Sequence, residues 1–262
     1  MLSYQHAYHA GNMADVHKHA VLATALAYMT AKPKPITYIE THAGRGLYRL
    51  DGAEAAKTGE AAQGIARREA DFPPGHPYRD CLDAVRAAHG ATAYPGSPLI
   101  AETLLRVGDV LHLAELHPRE HAALDALLGR RARVHRRDGA ELALSLCPPD
   151  PRRGLMLIDP SWEVKDEWAE MPRLLARLHR VWPVGVLMLW YPRLVSGAHL
   201  SMVRDVRARL PEARLHEIGF PPARPGHGMI GSGLVLVNPP WGVEDELARL
   251  SALFPTSASG PS

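Results

Sequence analysis

Four consecutive residues, Asp159-Pro160-Ser161-Trp162, join a carboxylate, a stiffened peptide and an aromatic ring at the end of an apolar run. That set suits methylation of an aryl amine. Such an amine is a poor nucleophile, because its lone pair is delocalised into the ring. An acidic oxygen and a neighbouring carbonyl that accept its two N–H hydrogens let the nitrogen rehybridise and attack an activated methyl in line. Pro160 fixes its own φ and restricts Asp159 to extended conformations, which aims both acceptors. Trp162 offers a face for a base, a contact worth roughly 1–3 kcal/mol. This offsets part of the cost of extruding a base from a helix. Asp159, Pro160 and Trp162 are therefore the candidate catalytic residues. No metal is needed if the methyl donor arrives already activated.

The run is close to the [D/N]-P-P-[Y/F/W] signature of amino methyltransferases acting on nucleobases. Asn238-Pro239-Pro240-Trp241 fits that signature letter for letter, but it follows the last strand, whereas the reacting methyl in such a fold sits beside the end of the fourth. It reads as a strand-terminating turn. Other strand ends carry groups suited to an adenosine-containing cofactor. Gly44 and Gly46, in Glu40-Thr41-His42-Ala43-Gly44-Arg45-Gly46, permit a tight turn and close backbone approach. Glu115 ends the second strand, where a carboxylate accepts from ribose hydroxyls. Asp138-Gly139 follows the third and supplies an oxygen for an adenine amine. Each alone also fits an ordinary turn; their order at successive strand ends is the stronger signal.

The N-terminal segment is polar, with Tyr4, His6, His9, Asn12, Asp15, His17, Lys18 and His19. His6-x-x-His9 and His17-x-His19 suggest metal-ligand spacing. However, His17 and His19 lie about 200° apart on a helix and cannot share a metal.

To position these groups the chain needs a parallel sheet. Apolar β-rich runs at 36–40, 111–115, 132–135, 154–158, 184–190, 214–218 and 234–237 alternate with helical patterns at 14–31, 118–128, 139–146, 167–180, 199–210 and 243–253. A further helix starts at Ser97-Pro98. The reading is an α/β Rossmann-like fold with a seven-stranded, mostly parallel sheet, binding ligands beyond its carboxyl ends. Residues 1–46 and 97–254 form the core. Residues 47–96 fit no strand and read as a helical insertion at the mouth of the site or, alternatively, a longer surface excursion. Residues 255–262 read as a loose tail.

With 262 residues, 46% of them hydrophobic and 22% charged, the chain can bury a core. A net charge of +2 does not announce nucleic-acid binding, although a local basic face remains possible. Cys81 and Cys147 are far apart and read as reduced thiols. The longest apolar run falls short of the ~20 residues of a membrane span, and no signal-peptide layout is present. A cytoplasmic, monomeric protein is the expectation.

Several blocks resemble the RlmJ family of bacterial large-subunit ribosomal RNA adenine-N6 methyltransferases. They are the stretch from Met1 to Asp15 with Lys18-His19, Thr41-His42-Ala43-Gly44, Tyr94-Pro95-Gly96-Ser97-Pro98-Leu99-Ile100-Ala101, Glu115-Leu116-His117-Pro118, Leu157-Ile158-Asp159-Pro160, Leu189-Trp190-Tyr191-Pro192 and Val237-Asn238-Pro239-Pro240-Trp241. The resemblance covers nearly the whole chain. It implies a class I methyltransferase core with a helical insertion, S-adenosylmethionine as cofactor and 23S ribosomal RNA as partner. It also implies that His19, His42, Ser97, Glu115, Asp138, Gly139 and Asp159 contact the cofactor. Tyr4 would meet the RNA, with His6 and Lys18 nearby, the N-terminal segment acting as a lid. Two departures stand out: Ser161 and Trp162 replace the family's usual Pro-Tyr, and Glu40 replaces its usual Asp. The serine loosens the loop, which keeps a catalytically impaired binding protein as the alternative, beside an adenine methyltransferase acting on another nucleic acid.

Overall fold

The computed structural model describes residues 6–223, 226 and 228–254. Nine strands are present among them: β1 (Thr37–Glu40), β2 (Leu47–Arg49), β3 (Ala93–Pro95), β4 (Val110–Ala114), β5 (Arg133–His135), β6 (Gly154–Ile158), β7 (Val186–Leu194), β8 (Arg214–Gly219) and β9 (Met229–Val237). Seven form one sheet in the order β5-β4-β1-β6-β7-β9-β8. Only β9 runs against its neighbours β7 and β8. This mostly parallel, seven-stranded sheet is the Rossmann-like α/β arrangement expected from the sequence. Strands β1 and β6 are buried along their whole length, as parallel strands covered on both faces must be. The chain order reverses on either side of β1, between β4 and β6, and this places a ligand crevice over the carboxyl ends of both.

Two strands are longer than the apolar pattern predicts. Strand β7 continues past Trp190 to Leu194; beyond the end of its pairing with β6 it pairs with β9, so Pro192, without an N–H, is tolerated there. Strand β9 starts at Met229 and includes Gly231-Ser232-Gly233, ahead of the run expected at 234–237. A Cβ on Gly233 would stand 2.1 Å from the Tyr191 ring, and one on Gly231 would stand 2.3 Å from the Ile218 carbonyl, so both glycines are packing requirements.

The expectation that residues 47–96 contain no strand is corrected. Strands β2 and β3 pair antiparallel at the two ends of that segment, Leu47 against Pro95 and Arg49 against Ala93. Three-residue strands are too short to show a period of two. Between them lie the helices Ala53–Thr58, Glu60–Gln63, Ile65–Arg68 and Pro77–His89. The segment closes onto the N-terminal region, where Ile65 N–H donates to the Gly11 carbonyl at 2.8 Å.

Helix α1 (Met13–Thr30) is capped by Asn12, whose side chain accepts from Asp15 N–H. It is buried nearly all round, and it packs on the helices Pro77–His89, Ser97–Leu104 and Val243–Leu253. Among the described residues, no helix is long and apolar enough to cross a membrane.

Candidate active site

A cavity of about 500 Å³ opens over the carboxyl ends of β1, β4 and β6. Its lining includes His6, Lys18, His19, His42, Gly44, Ser97, Glu115, Asp138, Gly139, Asp159 and Pro160, so most of the residues singled out from the sequence lie together. Tyr4 falls outside the described residues.

Helix α1 supplies the charged floor. Asp15, Lys18 and His19 share one face at i, i+3 and i+4. Asp15 accepts from Gly11 N–H at 2.8 Å and from the His6 ring at 2.9 Å, and its other oxygen is 3.3 Å from Lys18 Nζ. Burial pushes the Asp15 pKa upward, but His6, which also bonds it, and the Lys18 ammonium outweigh this and leave it well below the usual value. Lys18 Nζ donates to Asp159 Oδ2 at 2.6 Å. Burial would lower the Lys18 pKa, yet Asp159 and Asp15 raise it above the ordinary value, so the ammonium persists. Burial holds His19 down to about 3, and its neutral ring meets the Tyr94 hydroxyl at 3.0 Å.

The strand ends make the opposite wall. Glu115 accepts from Gly44 N–H at 2.8 Å and His117 N–H at 2.7 Å, one bond per oxygen, and each oxygen keeps a lone pair. Asp138 Oδ1 caps the helix Gly139–Leu146 by accepting from Glu141 N–H, and Oδ2 has no partner among the described residues. A Cβ on Gly139 would stand 2.0 Å from the Thr41 carbonyl, so only glycine lets this helix start so close to the β1 turn. This donor set fits an adenosine-type cofactor: a carboxylate for ribose hydroxyls, a free carboxylate oxygen for an adenine amine and a close-packed glycine turn. Glu40 lies beneath, buried, and accepts from the Ser97 and Tyr38 hydroxyls. Burial pushes its carboxyl up to about 8, the two hydroxyl bonds pull the other way, and the charge of Asp159 adds to the rise.

Two sequence expectations are corrected. Trp162 does not present a face to the cavity. Its ring packs on Trp168 with centroids 4.2 Å apart, its N–H donates to the Trp190 carbonyl at 3.2 Å, and it is only 8% exposed. The left-handed backbone at this residue, φ 60°, turns the side chain back into the core. Gly46 does not line the cavity either; its carbonyl accepts from Gly96 N–H, where it joins the β1 turn to the Ser97 helix. The aromatic wall that sequence reasoning missed is Trp190, at the cavity end of β7, with Lys18 Nζ 5.5 Å from its ring centroid. The block Leu189-Trp190-Tyr191-Pro192 signalled it, but the ring's direction was not legible.

Helix α1 also separates the histidines as its geometry requires. His19 faces Tyr94, while His17 bonds Ser232 and His216 on the other side.

The chain as a whole is similar to known proteins. A family profile described as Ribosomal RNA large subunit methyltransferase D, RlmJ, matches residues 33–258. The chain is 38% identical over 253 residues to the Escherichia coli (strain K12) Ribosomal RNA large subunit methyltransferase J, covering 94% of this chain and 90% of that one. It is 34% identical over 269 residues to the Haemophilus influenzae protein of the same name, covering 95% and 92%. A Legionella pneumophila protein of known crystal structure superposes with a TM-score of 0.84 at 33% identity, over 96% of each chain. The shared sequence and fold place the chain in the RlmJ family of ribosomal RNA large-subunit methyltransferases, and it is a methyltransferase.

Proposed function

We propose that this protein transfers a methyl group from S-adenosylmethionine to the N6 amine of an adenine in 23S ribosomal RNA, the base being flipped into the cavity. The observation that carries the reading is the meeting of Asp159 and Pro160 with Glu115 and Asp138 in one cavity over the sheet's carboxyl ends. The names of the curated relatives support ribosomal RNA as the substrate.

When bound, the cofactor supplies an electrophilic methyl carbon on a sulfonium. Glu115, Asp138, Gly139, His42 and Ser97 hold it. Lys18 grips Asp159 by Oδ2 and leaves Oδ1, which has no partner among the described residues, to accept one hydrogen of the target amine. The Pro160 carbonyl accepts the other. Both acceptors are fixed before the substrate arrives, so little reorganisation is needed when charge develops on nitrogen. Trp190 walls the base. Residues 47–96 act as a small helical subdomain beside the mouth, since Tyr48 and Gly96, near its two ends, both line the cavity.

The test is to incubate the protein with methyl-labelled S-adenosylmethionine and unmodified 23S RNA, digest to nucleosides and separate them by mass. Label in N6-methyladenosine is the expected result. Label in another nucleoside, or RNA binding without any transfer, would overturn the assignment and favour a different target or an impaired binding protein.

A further inference from the structure

Behind the Trp190 wall runs a line of hydrogen bonds that the reaction itself does not use. Trp190 Nε1–H donates to Ser232 Oγ at 2.9 Å. Ser232 Oγ is 2.8 Å from His17 Nδ1, His17 Nε2 is 2.8 Å from His216 Nδ1, and His216 Nε2 is 2.9 Å from Ser251 Oγ. Ser232 and His17 are wholly buried and His216 is nearly so, whereas Ser251 is exposed. The line therefore crosses from the cavity wall through β9, α1, β8 and the helix Val243–Leu253 to solvent.

Two head-to-tail senses are open to a chain of hydroxyls and neutral imidazoles, and the Leu247 backbone bond to the His216 ring selects one. An indole nitrogen only donates. Ser232 Oγ accepts that hydrogen and, in this sense, gives its own to His17 Nδ1. His17 then carries its hydrogen on Nε2 and donates to His216 Nδ1. His216 in turn carries its hydrogen on Nε2 and donates toward Ser251. The Leu247 carbonyl, one turn back on the same helix, also bonds the His216 ring, which a carbonyl can do only as an acceptor. Burial, with the facing ring, holds His17 well below the usual histidine value, and burial likewise lowers His216, so both rings are neutral. Bonds aligned head to tail polarise one another and resist rotation of any member.

We propose that Ser232, backed by His17 and His216, is the positioning residue that fixes the Trp190 indole against the target base. The proposal rests on the reading of Trp190 as the base wall. Its consequence reaches further than stacking, because Lys18, which grips Asp159, lies over the same ring.

A double-mutant cycle tests it. Ser232→Ala should raise the KM for RNA about fivefold, the size of one lost buried hydrogen bond, with the KM for S-adenosylmethionine unchanged. In a Trp190→Phe background, which has no N–H to hold, Ser232→Ala should change the RNA KM less than about twofold. An equal effect in both backgrounds, or parallel loss for both substrates, would show a merely structural serine and overturn the proposal. If Ser232→Ala does not fold, long-range nitrogen NMR of the wild-type protein decides: both rings neutral with hydrogen on Nε2 supports the line, and hydrogen on Nδ1 of either ring breaks it. That measurement needs no RNA. Failure of the wild-type protein to methylate RNA would remove the functional reading, while the tautomers would still decide the relay.

Discussion

The loop Asp159-Pro160-Ser161-Trp162 and the turn Asn238-Pro239-Pro240-Trp241 are near twins in sequence, yet they occupy opposite ends of the sheet. The loop follows β6 at its carboxyl end, inside the cavity. The turn follows β9, which runs antiparallel to β7, and so it emerges beside the start of β7; the Asn238 amide donates to the carbonyls of Pro183 and Gly185, both at 2.9 Å. Each twin contains one left-handed residue, Trp162 at φ 60° and Asn238 at φ 52°. Asparagine adopts that conformation readily. Tryptophan does not, and Trp162 is held there by Trp168 and the Trp190 carbonyl. Strand direction decides which copy reaches the cavity, even though the turn matches the signature better than the loop.

The sharpest way to break this comparison is to exchange the roles of the two side chains in an assay. Asp159→Ala should lower kcat about 10²- to 10³-fold, the usual cost of removing one preorganised group facing developing charge. Asn238→Ala loses two bonds to carbonyls, so it should lower the unfolding midpoint while the folded protein turns over normally. Single-turnover methyl transfer and denaturant titration of both variants give the answer. Loss of turnover in folded Asn238→Ala would move the chemistry to the turn.

Trp162 gives the second test. As a core residue its truncation should cost about 3 kcal/mol of stability or more. As a base-stacking face its truncation would instead raise the KM for RNA and leave stability nearly untouched. Urea unfolding and RNA titration of Trp162→Ala separate the two, and the second outcome would restore the role expected from the sequence.

The same loop shows how far sequence reasoning reaches. The alternation of β and α patterns marked all seven strands of the large sheet, most plainly β1 and β6, because buried parallel strands leave apolar runs. Glu115, Asp138-Gly139 and Asp159-Pro160 were legible as candidates because the proposed chemistry prescribes residue types at strand ends, and all five line one cavity. Directions of rings were not legible. Trp162 turns inward through a backbone conformation that no periodicity reveals, and Trp190 took its place at the wall. Ser232 lies outside the apolar run at 234–237, between Gly231 and Gly233, whose bare backbones leave room for the Ile218 carbonyl and the Tyr191 ring. Strands β2 and β3 were too short for any pattern.

Charge crowding also distinguishes loop from turn. Glu40 lies under the loop, and burial together with the charge of Asp159 helps push it up to about 8 from its ordinary value of 4.5. Between those values the folded state binds more protons than the unfolded chain, so stability is fully present below the lower value and is lost as pH rises through the upper one. The buried histidines His17, His19 and His216, lowered by burial, act in the opposite sense, but only below about pH 6.5 where unfolded histidine titrates. From about pH 7 to 8.5 the wild-type unfolding midpoint should therefore fall, and in Glu40→Gln the fall should be shallower. Equal slopes in the two proteins would mean that Glu40 is charged throughout.

The smallest expected effect belongs to the turn's own tryptophan. Trp241 is 81% exposed, against 8% for Trp162, and makes no hydrogen bond or ring contact among the described residues. A side chain that buries so little should change stability by no more than about 0.5 kcal/mol when cut to alanine. It lies at the end of the sheet away from the cavity, so turnover and the KM for both substrates should stay at wild-type values. The measurement is a full kinetic comparison of Trp241→Ala with the wild type, together with RNA binding across a salt series. Weaker RNA binding at unchanged kcat would turn the exposed ring into a second contact for the nucleic acid, one reached around the far edge of the sheet. The two tryptophans would then have exchanged the parts their signatures suggest, the buried one holding the fold and the exposed one meeting the substrate.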